Sequence, residues 1–247
     1  MTTKAYALRC ELEAREHETS CFVNLTYAPE HLPENGTLVK KHLQDFIKKL
    51  RARLDYHHDV KIRFFGAGEY GTKNGRPHYH VLIFGYDFPD KTYWRRSAKG
   101  FTLYRSSELE KVWTYGHAEI GEVSYLTAKY VAGYIRKKQT GKDAVEHYGD
   151  RIPEFQHASM NPGIGKPWYD KNKKWLWKDD QIVVNVQGRR IEARPPKYFE
   201  ILFRKEDPDG YELWKHTVKA KRENTRRVSG IESVTHFEDD EEITETA

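Results

Sequence analysis

The sequence predicts an α+β fold: a central, mostly antiparallel sheet with helices packed on its faces and a basic C-terminal extension. Three observations carry that expectation. First, Lys61–Ala67 and His78–Phe84 read as strands, and the segment between them holds Asn74-Gly75 and Pro77, so the two form a hairpin with a long loop. Second, Val39, Leu43, Phe46, Ile47, Leu50 and Leu54 fall on one face of a helix, while Lys40, Lys41, Lys48, Lys49, Arg51 and Arg53 cover the others. Third, helices and strands follow one another in the order helix–strand–helix–hairpin–helix–strand–helix, with no internal repeat.

The remaining elements fit around this frame. Tyr6–Arg15 is helical in pattern, with Leu8, Leu12 and Ala14 among charges and no Gly or Pro. Cys21–Tyr27 is short, β-branched and aromatic, a buried strand that Ala28-Pro29 ends. Asp87–Ser97 is polar and irregular. Ser106–Trp113 is a short helix with Ser106 or Ser107 as its cap, and His117–Val123 is a further strand. Ser124–Lys138 is a helix whose Lys and Arg crowd its C-terminal end, where cations suit the helix dipole. A second hairpin is expected over 181–193, followed by basic helices at Tyr198–Arg204 and Tyr211–Arg227.

Charge narrows the class. The last 17 residues contain seven acids and no Lys or Arg; the preceding 230 hold all 42 Lys and Arg against 30 Asp and Glu, a formal +12. A body that basic predicts a polyanionic partner, and the acidic tail predicts disorder. Trp168–Lys178 interleaves aromatic and basic residues, which suits stacking on unpaired bases; a loop whose aromatics fill the core explains it equally. No run approaches the roughly 20 apolar residues of a membrane-spanning helix. Met1–Arg9 has no signal-type apolar segment, and two cysteines supply neither a disulfide framework nor an all-thiolate zinc site. The expected setting is a reducing cytoplasm. Three divisions follow: a core over 1–140, a basic, aromatic-rich extension over 141–230 packed on it, and the acidic tail over 231–247.

His78-Tyr79-His80 is the most informative segment. Side chains alternate along a strand, so both imidazoles share a face and Tyr79 takes the other. The hairpin brings Glu69 opposite His78 or diagonal to His80. Two histidines and one carboxylate can hold a divalent metal, Mg²⁺ or Mn²⁺, with positions left open for a substrate oxygen. By itself the pair is also compatible with a solvated strand face. On the helix that follows, Tyr130 and Tyr134 are four residues apart and share a face that Lys137 and Lys138 continue. A phenol beside an activated phosphodiester is a nucleophile, and neighbouring lysines favour the phenolate; an aromatic stripe packed on the core is the alternative. Gly133 costs that helix about 1 kcal/mol relative to Ala. Its expected role is to clear space for a backbone or for DNA.

Phe22–Tyr27, His78-Tyr79-His80 and Tyr130–Lys137 together resemble, in order, motifs I, II and III of the HUH rolling-circle replication initiators. The paired tyrosines are similar to the two-tyrosine class of gokushovirus-type microviruses. Leu8-Arg9-Cys10, Gly68–Gly71 and Asn161–Gly165 also resemble that group, so the likeness runs from about residue 5 to 205. The resemblance implies a site-specific single-stranded DNA endonuclease and strand transferase. Glu69, His78 and His80 would hold the metal. Tyr130 and Tyr134, aided by Lys137, would alternate in cleaving and rejoining the origin strand through a 5′-phosphotyrosine link. Tyr134 matches the Tyr-x-x-Lys form of single-tyrosine initiators. Lys129, Arg136 and Lys138, with Lys171, Lys173, Lys174 and Trp175 of the extension, are the expected DNA contacts. A host helicase and polymerase are the expected partners, because nothing here resembles a phosphate-binding P-loop, and a bacterial host's cytoplasm is the expected location. The competing readings are an HUH transposase or relaxase, a non-catalytic single-stranded DNA-binding protein, and a structural zinc protein.

Overall fold

The structure, a computed structural model, describes residues 2–229 apart from positions 59, 72, 73, 99, 138, 140, 142 and 187. The expected acidic tail, residues 231–247, lies outside the described residues. Helix α1 (Thr3–Ala14) comes first, capped by Thr2, whose Oγ1 accepts the Ala5 amide at 3.3 Å. Strand β1 (Ser20–Thr26), helix α2 (Lys40–His58) and the hairpin β2 (Arg63–Tyr70) and β3 (Pro77–Phe84) follow. Next come β4 (Thr92–Arg96), β5 (Thr102–Arg105), α3 (Ser107–Val112), β6 (Ala118–Glu122) and α4 (Tyr125–Lys137). The order continues through α5 (Asp143–Tyr148), β7 (Phe155–Ala158), α6 (Lys166–Asp179), β8 (Ile182–Val186), β9 (Arg189–Ala193), α7 (Lys197–Glu206) and α8 (Pro208–Ser229).

Seven strands form one sheet in the order β4-β5-β6-β1-β3-β2-β7, antiparallel at every pairing. The fold is α+β, as the sequence predicts. On one face, Ala7 and Cys10 of α1 and Ala128, Val131 and Ala132 of α4 pack with Phe22, Phe65, Ala67, Leu82 and Phe84. On the other, Leu43, Phe46, Ile47, Leu50 and Leu54 of α2 and Leu109 and Val112 of α3 pack with Val23, Leu25, Val81 and Ile83. The periodic face read from α2 is therefore the face it buries. Each such side chain contributes about 1.5–3 kcal/mol by leaving water.

Tyr79 shows why an aromatic can stand between the two histidines. It points away from them into the α2 face, where it is fully buried. Its hydroxyl donates to the Val39 carbonyl at 2.9 Å and accepts the Val39 amide at 3.0 Å. The Tyr27 hydroxyl lies 2.7 Å from it and 2.7 Å from His42 Nδ1. The chain entering α2 is thus tied to the middle of β3. Tyr79→Phe keeps the ring but strips the partner from three polar groups. We expect it to cost about 1–3 kcal/mol, read as a lower midpoint in urea denaturation.

Several segments differ from the expectation. Residues 87–97 contain a strand, β4, whose five residues are all exposed, so no alternation of apolar and polar residues marks it. β5 and β7 have four residues each and are half-buried throughout. β7 pairs with β2, so the sheet takes a strand from beyond residue 140. A Cβ on Gly68 would lie 2.8 Å from the Phe155 ring, so only glycine at this position lets β7 close on β2. Residues 168–178 are helical, not a loop: Trp168, Tyr169 and Leu176 are buried while Trp175 is exposed. A Cβ on Gly133 would meet only Thr3 Cγ2, at an ordinary 3.9 Å, so no neighbouring backbone requires glycine there.

The chain forms two compact units that divide at Asp170/Lys171, within α6. In the second, the hairpin β8–β9 pairs Ile182 with Ala193 through Val186 with Arg189. Trp177 stacks on Phe203 with ring centres 4.7 Å apart, and Trp214 meets Trp177 edge-on at 5.0 Å. Among the described residues, no helix is long and apolar enough to cross a membrane.

Candidate active site

The register of β2 against β3 places Glu69 directly opposite His78, and Ala67 opposite His80. Directly paired residues share a sheet face, so all three candidate ligands converge. Glu69 Oε1 lies 2.6 Å from His78 Nε2 and 2.9 Å from His80 Nε2. One ligand atom from each residue lies within 4.8 Å of the others. The two imidazoles meet at right angles, with centres 4.8 Å apart. Glu69 and His80 are buried and His78 is half-buried, so the group opens on one side only. Burial opposes ionisation of Glu69, but hydrogen bonds from His78 and His80 outweigh it and hold its pKa at about 2. The residue therefore presents an anionic oxygen at neutral pH.

The tyrosines come from α4, which crosses this face. Tyr134 stacks on His80 with ring centres 4.9 Å apart and planes 9° from parallel. Tyr130 meets His80 edge-on at 5.2 Å, and the two phenol rings lie 4.8 Å apart. The spacing of four residues thus puts both rings on one imidazole, as a shared helix face requires. Their surroundings differ: Tyr134 is 2% exposed and belongs to the core, whereas Tyr130 is half-buried. Lys129 is exposed. The side chains of Arg136 and Lys137, and all of Lys138, lie outside the described residues.

The family model for the replication-associated protein ORF2 matches residues 20–139, which hold every residue of this cluster. "Replication-associated protein ORF2" of Spiroplasma virus 4 is 31% identical over 229 residues, covering 90% of this chain and 69% of that protein. The chain belongs to this replication-associated protein family. "Replication-associated protein ORF4" of Chlamydia phage 1 is 33% identical over 208 residues, 82% of this chain and half of its own length. "Replication-associated protein VP4" of Bdellovibrio phage phiMH2K is 29% identical over 219 residues, 87% of this chain and 67% of that protein. No solved structure matches the chain.

Two supports of the cluster are invisible in the sequence of this family member. Phe22 of β1 stacks on His80 with ring centres 5.6 Å apart. Gln156 of β7 donates from Nε2 to the Ala132 carbonyl at 3.2 Å, tying the sheet edge to the tyrosine helix. Both depend on strand neighbours, and β7 carries no strand pattern of its own.

A third support joins two segments singled out in the sequence, around Arg9 and over 161–165. Arg9 Nε donates to the Ile164 carbonyl at 2.8 Å, and Arg63 donates to the Pro162 carbonyl at 2.7 Å. Glu13, fully buried, accepts from Arg63, from the Gly165 amide and from His17. Burial raises the Glu13 pKa, but the hydrogen bonds from His17, Arg63 and Gly165 outweigh it and leave the pKa below the usual 4.5. A depressed carboxyl pKa adds stability above pH 4.5 that is lost as pH falls below it. Glu13→Gln leaves the Arg63 charge without its counter-ion, at an expected cost of about 3–5 kcal/mol at pH 7. Urea titrations of the variant and parent should converge as the pH drops below 4.5.

The remaining predicted DNA contacts fall in the second unit. Lys171, Lys174 and Trp175 are exposed on α6, while Lys173 is half-buried and pairs with Glu206 at 2.8 Å. Trp175 Nε1 donates to Asn172 Oδ1 at 3.2 Å.

Proposed function

We propose that this protein initiates phage DNA replication by nicking single-stranded origin DNA through tyrosine transesterification, in the manner of the HUH endonucleases. The observation that carries this reading is the convergence of Glu69, His78 and His80 on one point with two phenol rings on the same imidazole. The donor set fits a divalent cation: two neutral-capable imidazole nitrogens and an ionised carboxylate, a mixed set suited to Mg²⁺ or Mn²⁺ beside phosphate. Such an ion, held by these three residues, supplies positive charge that stabilises the phosphate as it is attacked.

The chain's own residues do the rest. The phenol oxygen of Tyr130 or Tyr134 forms a bond to the scissile phosphorus. The bond from phosphorus to the 3′ oxygen breaks, and the proton given up by the phenol ends on that oxygen. The products are a 5′-phosphotyrosine and a free 3′-OH that primes synthesis. The second tyrosine attacks the regenerated origin, and the released 3′-OH rejoins the first link. Phe22 and Tyr134 fix the plane of His80, and Gln156 holds α4 over the sheet. Lys129, Arg136, Lys137 and Lys138 of α4, with Lys171, Lys173, Lys174 and Trp175, would hold the DNA backbone and bases. A host helicase and polymerase would complete rolling-circle replication in the bacterial cytoplasm, with residues 141–230 serving as the extension and 231–247 as an acidic tail.

The test is a single-stranded oligonucleotide carrying the phage origin, incubated with the protein and Mn²⁺ or Mg²⁺. The expected product is a protein–DNA band that survives denaturation and disappears with EDTA. DNA binding without an adduct under either metal would replace this reading with a non-catalytic single-strand binder.

A further inference from the structure

Residues 91–105, Lys-Thr-Tyr-Trp-Arg-Arg-Ser-Ala-Lys-Gly-Phe-Thr-Leu-Tyr-Arg, hold five Lys or Arg, four aromatics and no acid. They form the ribbon β4–β5 at the end of the sheet. Large aromatics on such a strand normally seek cover, yet Tyr93 is 64% exposed, Trp94 50% and Phe101 43%. The register shifts between Tyr93 and Arg95, so Trp94 is the extra residue of a bulge. A bulge re-aims a side chain and blunts an edge against pairing with another strand. Arg95 and Arg96, the two residues after it, add charge that a strand edge would have to bury on pairing. The Arg105 guanidinium lies over the Trp94 ring at 5.1 Å. Trp94, Arg105 and Ser107 border an open groove of about 380 Å³.

The register connects this ribbon to the histidine cluster. His80 pairs with Asn24, Asn24 with Glu119, and Glu119 forms an ion pair with Arg95 at 2.9 Å. Arg95, Glu119, Asn24 and His80 therefore share one sheet face, and none of the first three is buried. Four strand steps separate β3 from β4, about 19 Å at roughly 4.8 Å each.

We propose that the β4–β5 ribbon is a docking platform for single-stranded DNA, with Trp94 stacking on an unpaired base and Arg95 and Arg96 holding backbone phosphates. It engages the strand that flanks the scissile position, and in that respect it rests on the nicking function above. The occupant follows from the surface: exposed aromatic faces interleaved with cations match unpaired bases joined by phosphates. A partner protein strand would meet a bulge and two arginines instead.

The experiment measures equilibrium binding in EDTA, where no cleavage occurs, using labelled oligonucleotides of increasing flank length on either side of the origin. Trp94→Ala should weaken binding of the long oligonucleotide about ten-fold and leave a short one spanning only the scissile step unchanged. Arg95→Ala/Arg96→Ala should lower the slope of log affinity against log salt by about 1.4, at roughly 0.7 per phosphate. A 5-bromouracil placed in the flank should photo-crosslink to Trp94. All three side chains are exposed, and an unchanged circular dichroism melt identifies folded variants. Unchanged long-oligonucleotide affinity in folded variants, with no crosslink at Trp94, overturns the platform while leaving nicking intact. Loss of affinity in a protein that never nicks would overturn the nicking function and keep the platform. A self-associating wild type whose dimer is broken by Trp94→Ala, with DNA affinity unchanged, would assign the ribbon to a second copy of the chain.

Discussion

The double variant Tyr130→Phe/Tyr134→Phe is expected to form no covalent adduct with origin DNA under any metal. Deleting a covalent nucleophile removes on the order of 10⁶-fold in rate, which puts the residual below detection. Phenylalanine keeps both rings against His80 and removes only the hydroxyls, so the loss is not a packing defect. The single variants discriminate further. If the phenols alternate, each single variant cleaves an oligonucleotide once and neither sustains cycles of cleavage and joining. If one tyrosine only packs, one variant is inactive and the other matches the parent. Their unequal burial makes this a real test: Tyr134 sits in the core while Tyr130 is half-buried. Tyr134 must swing out to reach a phosphate, whereas Tyr130 is nearer solvent. Adduct formation by the double variant at the parent's rate would end the tyrosine mechanism.

The second large effect is expected at His78. It is the most open of the three candidate ligands, with its side chain 14% exposed, so His78→Ala leaves the core filled. Removing a direct ligand should weaken Mn²⁺ binding, measured by calorimetry, by about 100-fold or more, since even indirect supports of a metal ligand contribute 10–100-fold. Nicking should fall below detection. Affinity for single-stranded DNA in EDTA should hardly move, because it comes from many Lys and Arg contacts with phosphates. Parent-level nicking by His78→Ala would remove the histidine cluster from the chemistry. Loss of DNA binding together with nicking would point to a damaged fold, and the urea midpoint would show it.

Much of the candidate site was legible because its logic is local. Alternation along β3 puts His78 and His80 on one face, and a hairpin folds Glu69 back to them. A helical interval of four puts Tyr130 and Tyr134 together. The helix α2 was legible because its apolar stripe is long and regular. The strands that escaped notice lack such a signal. β4 is exposed on both faces, and β5 and β7 are four residues long and half-buried. The aromatic run in α6 was ambiguous because a helix and a stacking loop use the same residue types; in the folded chain it buries Trp168, Tyr169 and Leu176 and leaves Trp175 outside.

The sequence by itself determined which residues can meet within one hairpin and one helix turn, since backbone periodicity sets those distances before any packing occurs. It also determined the charge that a polyanion would meet. Only the tertiary structure decided that α4 lies over the hairpin so that both phenols touch His80. It alone decided that Phe22 and Gln156 brace the cluster, and that Glu13 and Arg9 pin the segment around Ile164. Those contacts join residues far apart in the chain. They arise from apolar faces excluding water and buried polar groups finding partners, which are properties of the packed molecule and not of any one segment.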